Sequence, residues 1–168
     1  MTQRKTVHKW FWVWDFEKEE RWFNVMAQTG WLLDGVGFCT YHFVPCAPGE
    51  YAVRLEMHPY DKEYIRFMQE TGAEYVGRVF QWIYFRKKTQ DGPFDLFSDL
   101  DSRIAHLDKI GRMLALLGLA NLLIGITNSV NASSLGWINL VCATLLTYAL
   151  GRIHGKKETL EEKRRLME

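Results

Sequence analysis

Cys39, His42 and Cys46 fall within eight residues, a density of sulfur and imidazole that raises the question of a metal centre. In a regular strand Cys39 points away from the side shared by His42 and Cys46. His58 is the nearest candidate for a fourth ligand, and no zinc site is expected. His42, His58 and His106 are each conceivable haem ligands, but no pattern around any of them selects haem over a structural role. Asp15, Glu17, Glu19 and Glu20 gather at the start of a helical segment, where the helix dipole favours acids without a catalytic task. The sequence holds no phosphate loop, nucleophile elbow or metalloprotease motif. The expectation is a protein that is not an enzyme and carries no cofactor; a haem or metal enzyme is the remote alternative.

The aromatic residues are the more specific feature. Trp10, Trp12, Trp14, Trp22, Trp31 and Trp82 all lie in the first half of the chain. Core packing explains tryptophans by default. The functional alternative is an aromatic-lined pocket for an apolar or cationic ligand. The residues assigned to such a pocket, or to a dimer face, are Trp10, Trp12, Trp14, Phe80, Trp82 and Tyr84.

The elements that must hold them are read from periodicity. Lys9 to Phe16 alternates as an aromatic strand, and Glu17 to Thr29 has helical spacing ended by Gly30. Trp31 to Val44 reads as one strand, Tyr51 to His58 as another. Asp61 to Thr71 is a second helix stopped by Gly72, and Glu74 to Lys88 is a long final strand. The segment Val25 to Gly30 echoes Phe67 to Gly72, and Gly35 echoes Gly77, both at a shift of 42 residues. The expected fold is α+β: a ferredoxin-like βαββαβ plait, with both helices on one face of a four-stranded sheet, followed by a transmembrane hairpin. Both faces of the aromatic strands are apolar. Something must then cover the second face, and a sheet-to-sheet homodimer is the first choice.

All charged residues lie in residues 1–112 or 152–168. The uncharged stretch Met113 to Gly151 divides into two apolar segments around a small polar linker at residues 131–134, each near the minimum length that crosses a bilayer. Lys109 and Arg112 precede it, and Arg152, Lys156 and Lys157 follow it. The linker carries no Lys or Arg, which places both termini in the cytoplasm. Residues 1–92 are read as the cytoplasmic domain, 93–112 as an amphipathic helix capped by Ser98 or Asp99, 113–151 as the hairpin and 152–168 as a charged tail. Gly111, Gly118 and Gly125 recur every seven residues. With Gly136 and Ala143 they suit close helix packing, and Asn121 and Asn139 suit hydrogen bonds between the helices, Asn121 at the depth of Thr144. No Asp, Glu, Lys, Arg or His lies within the hairpin, which weakens the reading as an ion-coupled carrier. The near-neutral net charge of +1 and the absence of a basic aromatic patch argue against nucleic acid as a partner. No apolar leader with a cleavage site is seen near Met1.

Lys9 to Trp12, Glu19-Arg21-Trp22 with Met26 and Gly30-Trp31, and Tyr84 to Lys87, followed by the acidic segment and the hairpin, resemble a bacterial family of small membrane proteins known only as a domain of unknown function. Its members are often encoded beside PadR-type transcriptional regulators. The resemblance implies an inner-membrane protein in a regulated envelope-stress or drug-response setting, and carries over no catalytic residue. The expected function is a membrane-anchored cytoplasmic sensor or interaction module that dimerises. The alternative is a subunit of an oligomeric channel or transporter.

Overall fold

The computed structural model describes residues 4–97, 99–131 and 136–167. The chain divides into two compact units, Met1–Leu96 and Phe97–Glu168.

The first unit is a βαββ motif used twice. β1 (Lys5–His8), α1 (Phe16–Gln28), β2 (Trp31–Gly37) and β3 (Thr40–Pro45) make one copy. β4 (Tyr51–Met57), α2 (Lys62–Glu70), β5 (Glu74–Val79) and β6 (Trp82–Lys88) make the other. Each copy forms a three-stranded antiparallel sheet with its last strand in the middle, in the orders β1-β3-β2 and β4-β6-β5. The echo at a shift of 42 extends to backbone detail. Both helices end at a threonine whose Oγ1 donates to the carbonyl three residues back, Thr29 to Met26 and Thr71 to Met68. The next residue in each is a glycine with positive φ, +87° at Gly30 and +86° at Gly72, a conformation a side chain would strain. Both sheets break register at the same place, between Leu33 and Gly35 and between Tyr75 and Gly77.

This architecture corrects several expectations. Trp31 to Val44 and Glu74 to Lys88 are not single strands. Each is a hairpin with a two-residue turn, Phe38-Cys39 in the first and Phe80-Gln81 in the second. Their alternation runs on through turns that lack Asn-Gly or Gly-Gly, so the usual turn signal is missing. The turns are made instead by positive φ at Cys39 (52°) and Phe80 (54°). Lys9 to Phe16 is not a strand either. β1 lies upstream at Lys5–His8, and the aromatic run is a connection ending in a 3-10 turn at Val13–Asp15. The ladders describe two three-stranded sheets in place of one four-stranded sheet.

The two helices also do not share a face. Ile65 and Met68 of α2 pack with Ala73, Ile83, Phe85 and Phe94. Tyr84 lies between Ile83 and Phe85 in β6, so it points to the opposite face. There its ring meets Phe23 of α1 at 6.0 Å. Phe23 is fully buried and also touches Tyr41 and Phe43 of the first sheet. α1 is thus clamped between the sheets. It also closes the free edge of β4: the Asn24 amide donates to the Val53 carbonyl and accepts from the Val53 N–H, both at 3.0 Å, and Glu20 Oε2 accepts from the Leu55 N–H. The sheets approach where Gly77 faces Val36; a Cβ at Gly77 would sit 2.9 Å from a Val36 methyl. Arg86 bridges them, donating to the Leu33 carbonyl at 2.8 Å and pairing with Glu74.

In the second unit, α3 (Leu100–Val130) and α4 (Gly136–Arg165) are two long helices, each apolar and long enough to cross a membrane. From Leu100 on, the segment expected to be an amphipathic helix and the first apolar segment are one continuous helix, whereas residues 93–97 and Asp99 lie outside it; α4 continues into the charged tail as far as Arg165. Asp99 is the N-cap of α3, accepting from the Ser102 N–H at 2.7 Å. Ser98, most of the linker at 131–134 and Leu135 lie outside the described residues. The helices are antiparallel and touch along their length: Asp101 with Arg164, Asp108 with Lys157, Gly111 against Leu150, Gly118 against Leu146, and Gly125 against Leu140. Gly136 is the tightest point, since a Cβ there would lie 2.8 Å from the Ser129 nitrogen. The glycine series therefore packs the hairpin against itself. Asn121 does not reach across to Thr144. Its amide donates to its own helix at the Leu117 carbonyl, and the Thr144 hydroxyl donates to Leu140. In each case an acceptor one turn away is nearer than the other helix.

Candidate functional site

Two features of the first unit join residues from both repeats. The first is a buried acid. Glu19 sits one turn into α1, on the face that α1 buries, and is only 7% exposed. Its Oε1 accepts from the hydroxyl of Tyr41 on β3 at 2.8 Å and from that of Tyr84 on β6 at 3.0 Å. One carboxylate oxygen thereby ties together α1 and both sheets. Burial pushes the Glu19 carboxyl above its ordinary value of 4.5, against the two phenol hydrogen bonds, which pull it down. Burial raises both tyrosines as well, and the Glu19 charge adds to it, so the phenols stay protonated donors. Aromatic rings surround the group: Trp22, Phe23 and Phe11 all contact Tyr41.

The second feature is a chain of rings at the surface. Trp14 and Trp12 stack at 4.9 Å, Trp12 meets Trp10 edge-on at 5.3 Å, Trp10 meets Phe38 at 5.9 Å, and Phe38 meets Phe80 at 5.9 Å. The chain starts in the connection before α1 and crosses the tips of both hairpins. Trp14 is buried, whereas Trp10, Trp12, Phe38 and Phe80 are 55%, 45%, 64% and 78% exposed. Solvated rings in mutual contact form an apolar surface patch, the kind of feature that marks an interaction site. Nearby, the Lys9 ammonium lies over the rings of Phe11 and Trp22 at 4.9 and 4.5 Å, and the Arg78 guanidinium lies over Tyr60 at 4.5 Å.

The family model of DUF2812, described as a protein of unknown function, matches residues 15–119. The chain belongs to the DUF2812 family. No curated protein and no solved structure matches it. The DUF2812 match takes in Glu19, Tyr41, Tyr84 and both hairpin tips, together with the first part of α3. It begins after Trp10, Trp12 and Trp14 and ends before α4.

The residues assigned from sequence to one pocket or dimer face separate in this DUF2812 fold. Trp10, Trp12 and Phe80 are surface rings, Trp14 anchors their chain, and Trp82 packs against Phe16 at 5.4 Å. Tyr84 is buried at Glu19 and cannot belong to an open sheet face. Alternation marked Tyr84 as apolar and two-sided; its second side is met by α1, a helix of the other repeat. Both faces of the second sheet have cover within the chain, and the outer face of the first mixes polar and apolar residues, with Val44 and the buried Leu32 beside His42 and Thr40. There Thr6 bonds His42 at 2.9 Å and His8 bonds Thr40 at 3.0 Å. Cys39, His42 and Cys46 go to different places: a hairpin turn, the Thr6 pair, and a contact of Cys46 Sγ with the Ala27 carbonyl. No cluster of three or more His, Cys, Asp or Glu with metal-holding geometry occurs among the described residues.

Glu19 and Phe38 are the residues sequence reasoning missed. Glu19 hid among neighbouring acids. The available signal was its position one helical turn before Phe23, on the apolar stripe of α1.

Proposed function

We propose that this DUF2812 chain is a membrane-anchored interaction module. The two long helices hold it in a bacterial inner membrane with both termini in the cytoplasm, and the doubled βαββ unit offers an aromatic surface. The observation that carries the reading is the exposure of the helices. Their most apolar 18-residue windows are only 11% and 22% buried within the chain. A core helix of a soluble protein would be mostly covered, so these surfaces call for an apolar solvent. The flanking lysines and arginines support the orientation. The Glu19 group fits a structural or binding role better than catalysis, because both phenols spend their protons on one carboxylate oxygen. A regulatory role, in envelope stress or beside a PadR-type regulator, is part of the proposal.

Terminal fusions test the topology. A fluorescent protein after Glu168 should fluoresce and alkaline phosphatase at the same position should be inactive. The reverse pattern would refute the cytoplasmic assignment.

One observation favours a second reading, an oligomeric assembly that could enclose a path. A groove between α3 and α4 has Ala115, Gly118, Ala143 and Thr144 among its lining, with leucines and Tyr148 beside them, an apolar recess that the ridge of another helix could enter. The mass of the detergent-solubilised protein distinguishes the two, since a monomer leaves no pore.

A further inference from the structure

The ring chain at the hairpin tips can be assigned a partner. Three segments meet there, residues 8–14, 36–41 and 77–82. Between them they carry Lys9 and Arg78 and no Asp or Glu, although the chain has 20 acids in all. The rings are tryptophan and phenylalanine, side chains that suit the lipid–water boundary. One of them, Phe80, also stands where the backbone is unfavourable for a side chain. Phe80 has φ 54° in a two-residue turn, a position suited to glycine or asparagine, yet it holds a ring that is 78% exposed. Nothing in the fold of this unit requires a phenylalanine there.

We propose that this aromatic edge docks into the surface of an anionic bilayer, with Trp10, Trp12, Phe38 and Phe80 entering the interface and Lys9 and Arg78 facing the headgroups. The inference rests on the membrane-anchor reading above. An anchor in the same chain keeps the edge at high local concentration near lipid, so a small patch suffices where a free domain would need a larger one. Docking makes the edge sensitive to bilayer charge and packing, a means for a module of this kind to sense its membrane.

The test uses the full chain with Cys39, Cys46 and Cys142 replaced by serine, reconstituted in phosphatidylcholine vesicles with and without phosphatidylglycerol. A spin label is placed at Gln81→Cys beside Phe80, at Gln69→Cys on α2, or at Leu119→Cys in α3. Accessibility to oxygen and to a water-soluble nickel chelate then reports depth. The expected result is oxygen-rich, nickel-poor relaxation at 81 in anionic vesicles, several-fold different from 69. Phe38→Ser with Phe80→Ser, or Lys9→Gln with Arg78→Gln, should return it toward the value at 69. If 119 is in lipid and 81 matches 69, the docking proposal falls and the anchor stands. If 119 is also open to nickel, the anchor reading falls and takes the proposal with it. If 81 is shielded from both reagents, the edge is covered by protein, and a second copy replaces lipid as its partner.

Discussion

Phe38 and Phe80 occupy the same turn position in the two repeats, and their rings meet edge-on, centroids 5.9 Å apart at 81°. The contact depends on how closely the sheets approach at Gly77. Gly77→Ala should cost about 1–3 kcal/mol, because the added methyl would lie 2.9 Å from a branched Val36. The equivalent Gly35→Ala faces His42 at 3.5 Å, an ordinary contact, and should be milder. Denaturant unfolding of the two variants in detergent measures the difference.

Glu19 sets a pH dependence. Its folded carboxyl titrates above 4.5, so the unfolded chain releases the proton first. Stability contributed by the protonated form is present below 4.5 and is lost as pH rises through the folded value. Glu19→Gln keeps an acceptor for Tyr41 and Tyr84 without a charge, and should match or exceed the parent at pH 7. Glu19→Ala strands two buried hydroxyls and should lose roughly 1–3 kcal/mol. Unfolding midpoints across pH 4–8 (roughly the window in which a raised carboxyl titrates) check both variants.

Asn24 covers the edge of β4 through both polar atoms of its amide. Asn24→Ala leaves the Val53 N–H and C=O open and should cost about 1–3 kcal/mol. Hydrogen exchange at Val53 should accelerate with it.

His106 in α3 gives the opposite pH slope. Burial, with a smaller effect of Lys109, lowers it from 6.5 to about 4. The unfolded chain takes up the proton first, so stability is full above 6.5 and falls as pH drops toward 4. The imidazole signals of His106 in detergent should not shift until the pH nears 4, and His106→Leu should lack this component of the acid loss.

Gly125→Leu should loosen the hairpin by about 1–3 kcal/mol, because its Cβ would lie 2.8 Å from Leu140. Gly151→Leu, with nothing within 4 Å, should be silent when the two variants are compared by thermal unfolding in detergent.

Long-period patterns carried most of the fold that was legible in the sequence. The uncharged stretch from 113 to 151 marked both apolar helices, the seven-residue glycine series marked the face of α3 that meets α4, and the 42-residue echo marked the repeat. The strand count was not legible. Phe38 and Phe80 look like strand residues, and positive φ at Cys39 and Phe80 leaves no mark in residue type. The Tyr84–Glu19 bond is a tertiary contact 65 residues apart, with no local signature. The surface ring chain was half legible: Trp10 and Trp12 were singled out, but on a strand they do not form, and Phe38 was absorbed into a strand it interrupts.

The most direct test of the central claim is alkaline carbonate extraction of membranes from cells expressing the full chain. The account predicts that the protein stays in the membrane pellet and is released only by detergent. Recovery in the carbonate supernatant as a folded, detergent-free species would contradict it.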